Sequence, residues 1–166
     1  TTAWLMRDAI WKAPNRDNIL STLIFWSALQ ETRQPYQYGR DELLDSWHTL
    51  LMARFISAMM FTDAREQAQA LEGLSRWVYS SLHYSPGTIG GIKIDGTTFH
   101  HGGFYPAYTT GVLAVIGQFI AFTNNTDFEL TEEARQHIKS AFIAMRNYCN
   151  LYEWGIGISG RHPFGG

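Results

Sequence analysis

DELLDSWHTLLMARFISAMM (Asp41–Met60) and the run behind it, FTDAREQAQALEGLSRWVYSSL (Phe61–Leu82), decide the fold. Leu43, Leu44, Trp47, Leu50, Leu51, Phe55 and Met59 recur at helical spacing and form a wide apolar stripe, which predicts a helix over 41–61. Asp63 stands where an N-cap belongs, with Glu66 three residues on as the other half of a capping box. Ala70, Leu71, Leu74, Trp77 and Val78 then mark the buried face of the next helix. Two amphipathic helices joined by a few residues must cover each other's apolar faces, so the pattern reads as a helical hairpin.

Outward from this hairpin the same pattern repeats. Residues 2–12 read as a short helix stopped by Pro14, and 17–31 as a second, with Leu20, Leu23, Ile24 and Ala28 on one side. Arg33–Gly39 is a polar loop. From His83 to Phe104 the helical period disappears, and seven of the chain's fifteen glycines fall within 87–111. A long loop of that kind inside a compact domain is usually functional. A short Gly90–Ile94 run is the only strand-like stretch. A helix over 107–122 follows, carrying Val112, Leu113, Ile116 and Ile120. Thr131 opens another that ends near Tyr148, with Glu132 and Glu133 favourable at its positive N-terminal end. The expected class is therefore all-α, built of antiparallel helix pairs, as in a toroid or solenoid, with long glycine-rich loops.

The 166 residues suffice for one domain with a real core, and 45% hydrophobic against 17% charged residues argues against disorder. A net charge of −2 gives no global attraction to a polyanion, so an anionic substrate needs a local group of cations, and nucleic acid is not an expected partner. Cys149 is alone, so no internal disulfide can form and the compartment stays open. No apolar run reaches the roughly 20 residues of a membrane-spanning helix, and the opening TTAWLMRDAIWKAP is not a signal peptide. Six Trp, eight Tyr and ten Phe either stack on sugar rings or fill helical cores.

The densest polar and aromatic cluster is DGTTFHHGGFYPAY, Asp95–Tyr108. His100 and His101 are adjacent, two glycines follow, and Tyr108 stands seven residues past His101 at a helix start. Glycines beside His101 let the backbone approach a ligand, and positive potential at a helix N-terminus favours a phenolate. The histidines lack zinc spacing and no cysteine is near. Gly157-Ile158-Ser159-Gly160 lacks the spacing of a serine nucleophile elbow. A second cluster, Ser159-Gly160-Arg161-His162-Pro163-Phe164, holds Arg161 in a tight turn, where its fork suits carboxylate or sulfate. Bland readings compete at both places: His101 as an ordinary loop histidine, and Arg161 as a donor to loop carbonyls.

DGTTFHHGGFYPAY, followed later by SGRHPF, resembles polysaccharide lyase family 8, the chondroitin and hyaluronate lyases, and the His-to-Tyr spacing looks like the chondroitin sulfate ABC lyase branch. The resemblance implies the catalytic part of an incomplete α/α toroid that cuts chondroitin-type glycosaminoglycans by β-elimination. It implies that Tyr108 is the general acid on the bridging oxygen and, for one uronate epimer, also the base. His101 is implied as proton acceptor for the other epimer, and Arg161 as the cation that contacts the bridging oxygen and steadies the phenolate. His100, His162 and Tyr105 are expected to contact substrate. The family's orienting glutamate belongs to a domain after the toroid, so 1–166 is expected to be a fragment that works with further, β-sandwich domains of the same polypeptide. The residue that neutralises the uronate carboxylate has no assigned position. His48 is the candidate inside the chain, a half-buried helix histidine beside Trp47 is the competing reading, and a residue upstream of Thr1 is the third. No cofactor is implied with certainty. Calcium is the candidate divalent cation, with Asp95 able to offer oxygen ligands or simply to cap a turn. The resemblance also implies a periplasmic or secreted bacterial protein.

β-Elimination removes a weakly acidic proton α to a carboxylate, so neutralising that carboxylate is the main electrostatic task. A base must reach C5 and an acid the leaving oxygen. A Tyr, with its ordinary pKa of about 10, is a poor base until a cation and a helix N-terminus act on it. Tyr, His and Arg suit elimination better than hydrolysis, which needs two facing carboxylates. A helical-toroid glycoside hydrolase and a non-catalytic glycosaminoglycan-binding module remain as alternatives.

Overall fold

A computed structural model describes residues 2–39 and 43–149. The expected first helix is two short ones, α1 (Thr2–Leu5) and α2 (Arg7–Lys12), broken at Met6. Trp11 Nε1 donates to the Met60 carbonyl at 2.9 Å and ties this pair to the chain 49 residues on.

The helix expected over 17–31 is shorter. α3 covers Arg16–Trp26, Ala28 turns into the left-handed region (φ 53°), and a 3-10 turn spans Leu29–Arg33. The cause lies across the core. Arg54 is fully buried, donates from Nε to the Ser27 carbonyl at 3.1 Å and from Nη2 to Glu31 at 2.7 Å, and lies over the Trp77 ring at 4.5 Å. Burying a guanidinium is costly unless it is hydrogen-bonded, and Nε and Nη2 are, while Nη1 has no hydrogen-bond partner among the described residues. Here Nε takes the very carbonyl that an unbroken helix would give to the Glu31 amide, which bonds Ala28 instead.

The helix expected over 41–61 is also not uniform. α4 (Leu43–Asp45) runs into a π-helical segment, Ser46–Leu50, and then α5 (Leu51–Met59). α6 covers Ala64–Ser81, and Asp63 caps it by accepting from the amides of Arg65 and Glu66, both at 2.9 Å. The reciprocal bond of a capping box, from Glu66 back to the Asp63 amide, is absent among the described residues. Leu71, Leu74, Trp77 and Val78 are buried as expected, and Ala70 packs against a smaller cluster with Leu29 and Ala58. Trp47 Nε1 donates to Ser81 Oγ at 2.8 Å, joining the two halves of the hairpin with a buried bond worth about 1 kcal/mol.

The glycine-rich stretch is an ordered antiparallel sheet, β1 (Gly91–Ile92), β2 (Thr98–His100) and β3 (Gly103–Phe104), paired in that order. Its anchor is Lys93. The ammonium is buried, donates to Ser85 Oγ at 2.8 Å and to the carbonyls of Ser85 and Ile89, and sits over the Phe99 ring.

α7 covers Pro106–Thr123 and α8 Glu132–Tyr148, the latter capped by the Thr131 hydroxyl. α7 is long and apolar enough, with a mean hydropathy of 1.3, to cross a membrane by those measures alone. It packs against α5, α8, β2 and the π-helical segment, and Val112, Leu113, Ile116 and Phe119 enter one core with Leu44, Trp47, Leu51, Leu74 and Val78. Gly96 seats the sheet on α8: at φ +82° its Cα lies so close that an added Cβ would stand 2.8 Å from the Ser140 carbonyl carbon.

Candidate active site

Three pieces of backbone converge on one small area: the β2–β3 turn, the first turn of α7, and the junction of α4 with the π-helical segment. His101 and Gly102 are the two turn residues, with φ of 52° and 77°, since His100 pairs with Gly103. Positive φ at both positions is the type I′ geometry of tight hairpins. Histidine in that conformation is uncommon and strained, which projects its exposed ring off the tip of the hairpin.

α7 begins at Pro106, a residue whose fixed φ and missing N–H suit the first helical position. Its start is fastened to β2 by the Tyr105 amide donating to the Thr98 carbonyl at 3.0 Å and by a hydrogen bond between the Thr98 and Thr109 hydroxyls. Tyr108 therefore stands in the positive first turn, half-buried, as the sequence suggested.

Between these two elements lies His100, with only 1% of its surface exposed. It stacks on Tyr108 (ring centroids 4.8 Å, planes 15° apart) and lies 3.9 Å from the His101 ring. His101 is exposed and Tyr108 half-buried, so both are more accessible from solvent than His100. Tyr105 is half-buried with its ring 6.1 Å from Tyr108, and its buried hydroxyl has no hydrogen-bond partner among the described residues.

Two side chains come from the end of α4 and the π-helical segment that follows it. The Tyr108 hydroxyl donates to Asp45 Oδ1, and the same oxygen lies 3.8 Å from His100 Nε2. His48, one turn on, is exposed and edge-on to Tyr108 at 5.2 Å. It lies over Gly111, where a Cβ would come within 2.8 Å of its Nε2. Trp47 points the other way, into the core. Of the competing readings of His48, the structure thus brings it to the constellation rather than leaving it half-buried beside Trp47. A cleft of about 300 Å³ opens beside the same π-helical segment, lined by Tyr36, Gln37, Ser46, Leu50 and Trp77 among others.

Asp45 is the participant that sequence reading missed. Asp45 and His48 are three apart on the polar side of an amphipathic helix, which reads as a solvated face. Nothing local links Asp45 to a tyrosine 63 residues on. Asp95 accepts from the Thr97 amide at 2.9 Å and the Thr97 hydroxyl at 2.7 Å, and these bonds hold its carboxyl below the usual carboxylate range. That is a turn-capping arrangement. Among the described residues no group of three or more His, Cys, Asp or Glu side chains is placed to hold a metal. Arg161 and His162 lie outside the described residues.

The comparisons with known proteins agree with the residue pattern. The family described as "Lyase, catalytic" matches residues 1–166. The chondroitin sulfate ABC exolyase of Bacteroides thetaiotaomicron is 35% identical over 140 residues, 84% of this chain and 14% of that protein. The exolyase of the same name from Proteus vulgaris is 31% identical over 125 residues, covering 75% of this chain and 13% of its own length. The Proteus vulgaris chondroitin sulfate ABC endolyase is 26% identical over 162 residues, 96% of this chain and 16% of that protein. The chain thus spans 13–16% of the length of the curated relatives it matches.

Proposed function

The chain belongs to polysaccharide lyase family 8, and on that premise we propose that it carries the acid–base centre of a lyase that cleaves chondroitin-type glycosaminoglycans at uronic acids by β-elimination. The observation that supports this most is the meeting of Tyr108 and His101, one on the first turn of a helix and one on the tip of a strained hairpin, over a buried His100. An elimination centre needs an acid and a base near one another, and here the rings of both candidates pack against the same His100.

In the reaction, the C5–H bond breaks and its electron pair forms the C4–C5 double bond. The C4–O4 bond breaks as that double bond forms, and O4 leaves with a proton. Tyr108 supplies that proton, and for the uronate epimer whose C5 hydrogen faces it Tyr108 is also the base. His101 accepts the C5 proton of the other epimer. Well-placed proton transfer of this kind contributes about 10²–10⁴-fold in rate. Arg161 steadies the phenolate once the proton has left. His48 is the group within the chain best placed to meet the uronate carboxylate, being exposed beside the Tyr108 ring. His100 carries the two catalytic rings from beneath, a supporting role in place of direct substrate contact, because its side chain is buried. Tyr105 and His162 complete the substrate surface. The helices form part of an α/α toroid, and other domains of the same polypeptide supply the glutamate that orients Tyr108 and Arg161. The product is a 4,5-unsaturated oligosaccharide.

The test is to incubate the complete protein with chondroitin sulfate and dermatan sulfate and follow ultraviolet absorbance of the unsaturated uronate. Depolymerisation without that absorbance identifies a hydrolase, and binding without depolymerisation a glycosaminoglycan-binding module.

A further inference from the structure

We propose that Asp45 is the positioning residue of Tyr108, the group that keeps the proton on the phenol in the resting site and aims it at the leaving oxygen. The inference rests on the lyase reading above and deepens it. Asp45 Oδ1 accepts from the Tyr108 hydroxyl, and its side chain is 44% exposed. The competing view, a plain ion pair with His100, is weaker: that separation is 3.8 Å, beyond hydrogen-bonding range, whereas the phenol is in direct contact.

The local backbone supports the assignment. Asp45 is the last residue before the π-helical segment Ser46–Leu50. Such segments are rare, widen a helix by one residue, and recur at functional sites. Here the segment packs against α7. It lets Trp47 fill the core while Asp45 and His48 both address Tyr108. A carboxylate at the phenol opposes its ionisation, since two negative charges would then face each other. Tyr108 thus waits with its proton in place on the route where His101 is the base, and must give that proton up before the route where Tyr108 is itself the base. Arg161 steadies the phenolate whenever that proton is absent. Among the described residues, the other titratable groups facing Tyr108 are His48 from the same helix, His100 from β2, His101 from the hairpin turn by way of His100, and Tyr105 at the start of α7.

The experiment uses the complete protein as wild type, Asp45→Asn, Asp45→Glu and Tyr108→Phe, with dermatan sulfate as substrate, the epimer for which His101 is the base and Tyr108 only the acid. Asp45→Asn should lower kcat by about 10- to 100-fold, the range for losing a charge-assisted bond, with KM within about twofold. It should also move the alkaline limb of the kcat profile to lower pH, because an amide no longer opposes the phenolate. Asp45→Glu, which restores the charge, should return that limb towards its wild-type position. A second readout needs no turnover: tyrosinate absorbance on alkaline titration, with Tyr108→Phe as the blank, should show one phenol ionising earlier in Asp45→Asn. A wild-type kcat in Asp45→Asn, or an unmoved limb and an unmoved tyrosinate titration, overturns the proposal. So does a loss of activity matched by lost helical circular dichroism with the limb of the residual activity unmoved, which makes Asp45 merely structural. A wild-type protein that forms no unsaturated product sinks the lyase reading and this inference with it. An active wild type with a silent Asp45→Asn sinks this inference alone.

Discussion

Gly96→Ala tests whether the β1–β2 hairpin is held by close backbone contact with α8. At φ +82° a Cβ costs roughly 1–2 kcal/mol, because L residues avoid the left-handed region. The new methyl would also stand 2.8 Å from the Ser140 carbonyl carbon and 3.1 Å from Ala144 Cβ. Ordinary carbon–carbon contact is about 3.5 Å, so helix and hairpin must separate by roughly 0.7 Å. The obstacle is backbone, which cannot swing aside as a side chain would. Overpacking of this kind costs about 1–3 kcal/mol, so the sum is about 2–5 kcal/mol. Gly102→Ala is the matched control: its φ is +77°, yet among the described residues nothing lies within 4 Å of the added methyl. Urea denaturation of the two variants separates the backbone contact from the conformational cost. Gly96→Ala should be less stable than Gly102→Ala by about 1–3 kcal/mol. Equal stability of the two would refute the claim that the α8 contact seats the hairpin.

Two further outcomes follow from the site and its anchor. His101→Ala should weaken turnover of dermatan (iduronate) at least as much as that of chondroitin (glucuronate), since C5 protons of the two epimers point to opposite faces; equal, small losses on both, measured by ultraviolet product formation, would argue against two separate bases. Burial lowers the Lys93 ammonium below its ordinary 10.5, against the smaller opposing pull of Asp95. The folded state then binds fewer protons than the unfolded one just below pH 10.5, so stability rises with pH in that window and falls as pH drops through the folded value. Lys93→Met should abolish that rise and leave the carbonyls of Ser85 and Ile89 without their donor, at a cost of about 1–3 kcal/mol; urea melts at several alkaline pH values would show an unchanged slope if Lys93 is not responsible.

What the sequence made legible was local. Asp63 and Thr131 as caps, the Leu71–Leu74–Val78 face and the helix start at Tyr108 all depend on neighbours within one or two turns, and all stand in the structure. What it hid depends on distant partners. Arg54 reads as a charge on a helix face, and only its burial against Ser27, Glu31 and Trp77 explains why the chain leaves the helix at Ala28. The π-helical segment carries no glycine or proline to announce it. Lys93 reads as a loop cation, yet it is the buried knot of the loop. In the site, His101 and Tyr108 were visible because glycines and a helix start surround them. Asp45 was not, because its partner is 63 residues away.

The most direct test of the central claim is ultraviolet product formation by the complete protein and its Tyr108→Phe variant on chondroitin sulfate. The account expects the wild type to release unsaturated uronate and the variant to lose turnover on both uronate epimers while still binding the polymer. A variant that keeps more than roughly a tenth of wild-type turnover, when loss of an acid–base group should cost about 10²–10⁴-fold, would contradict it.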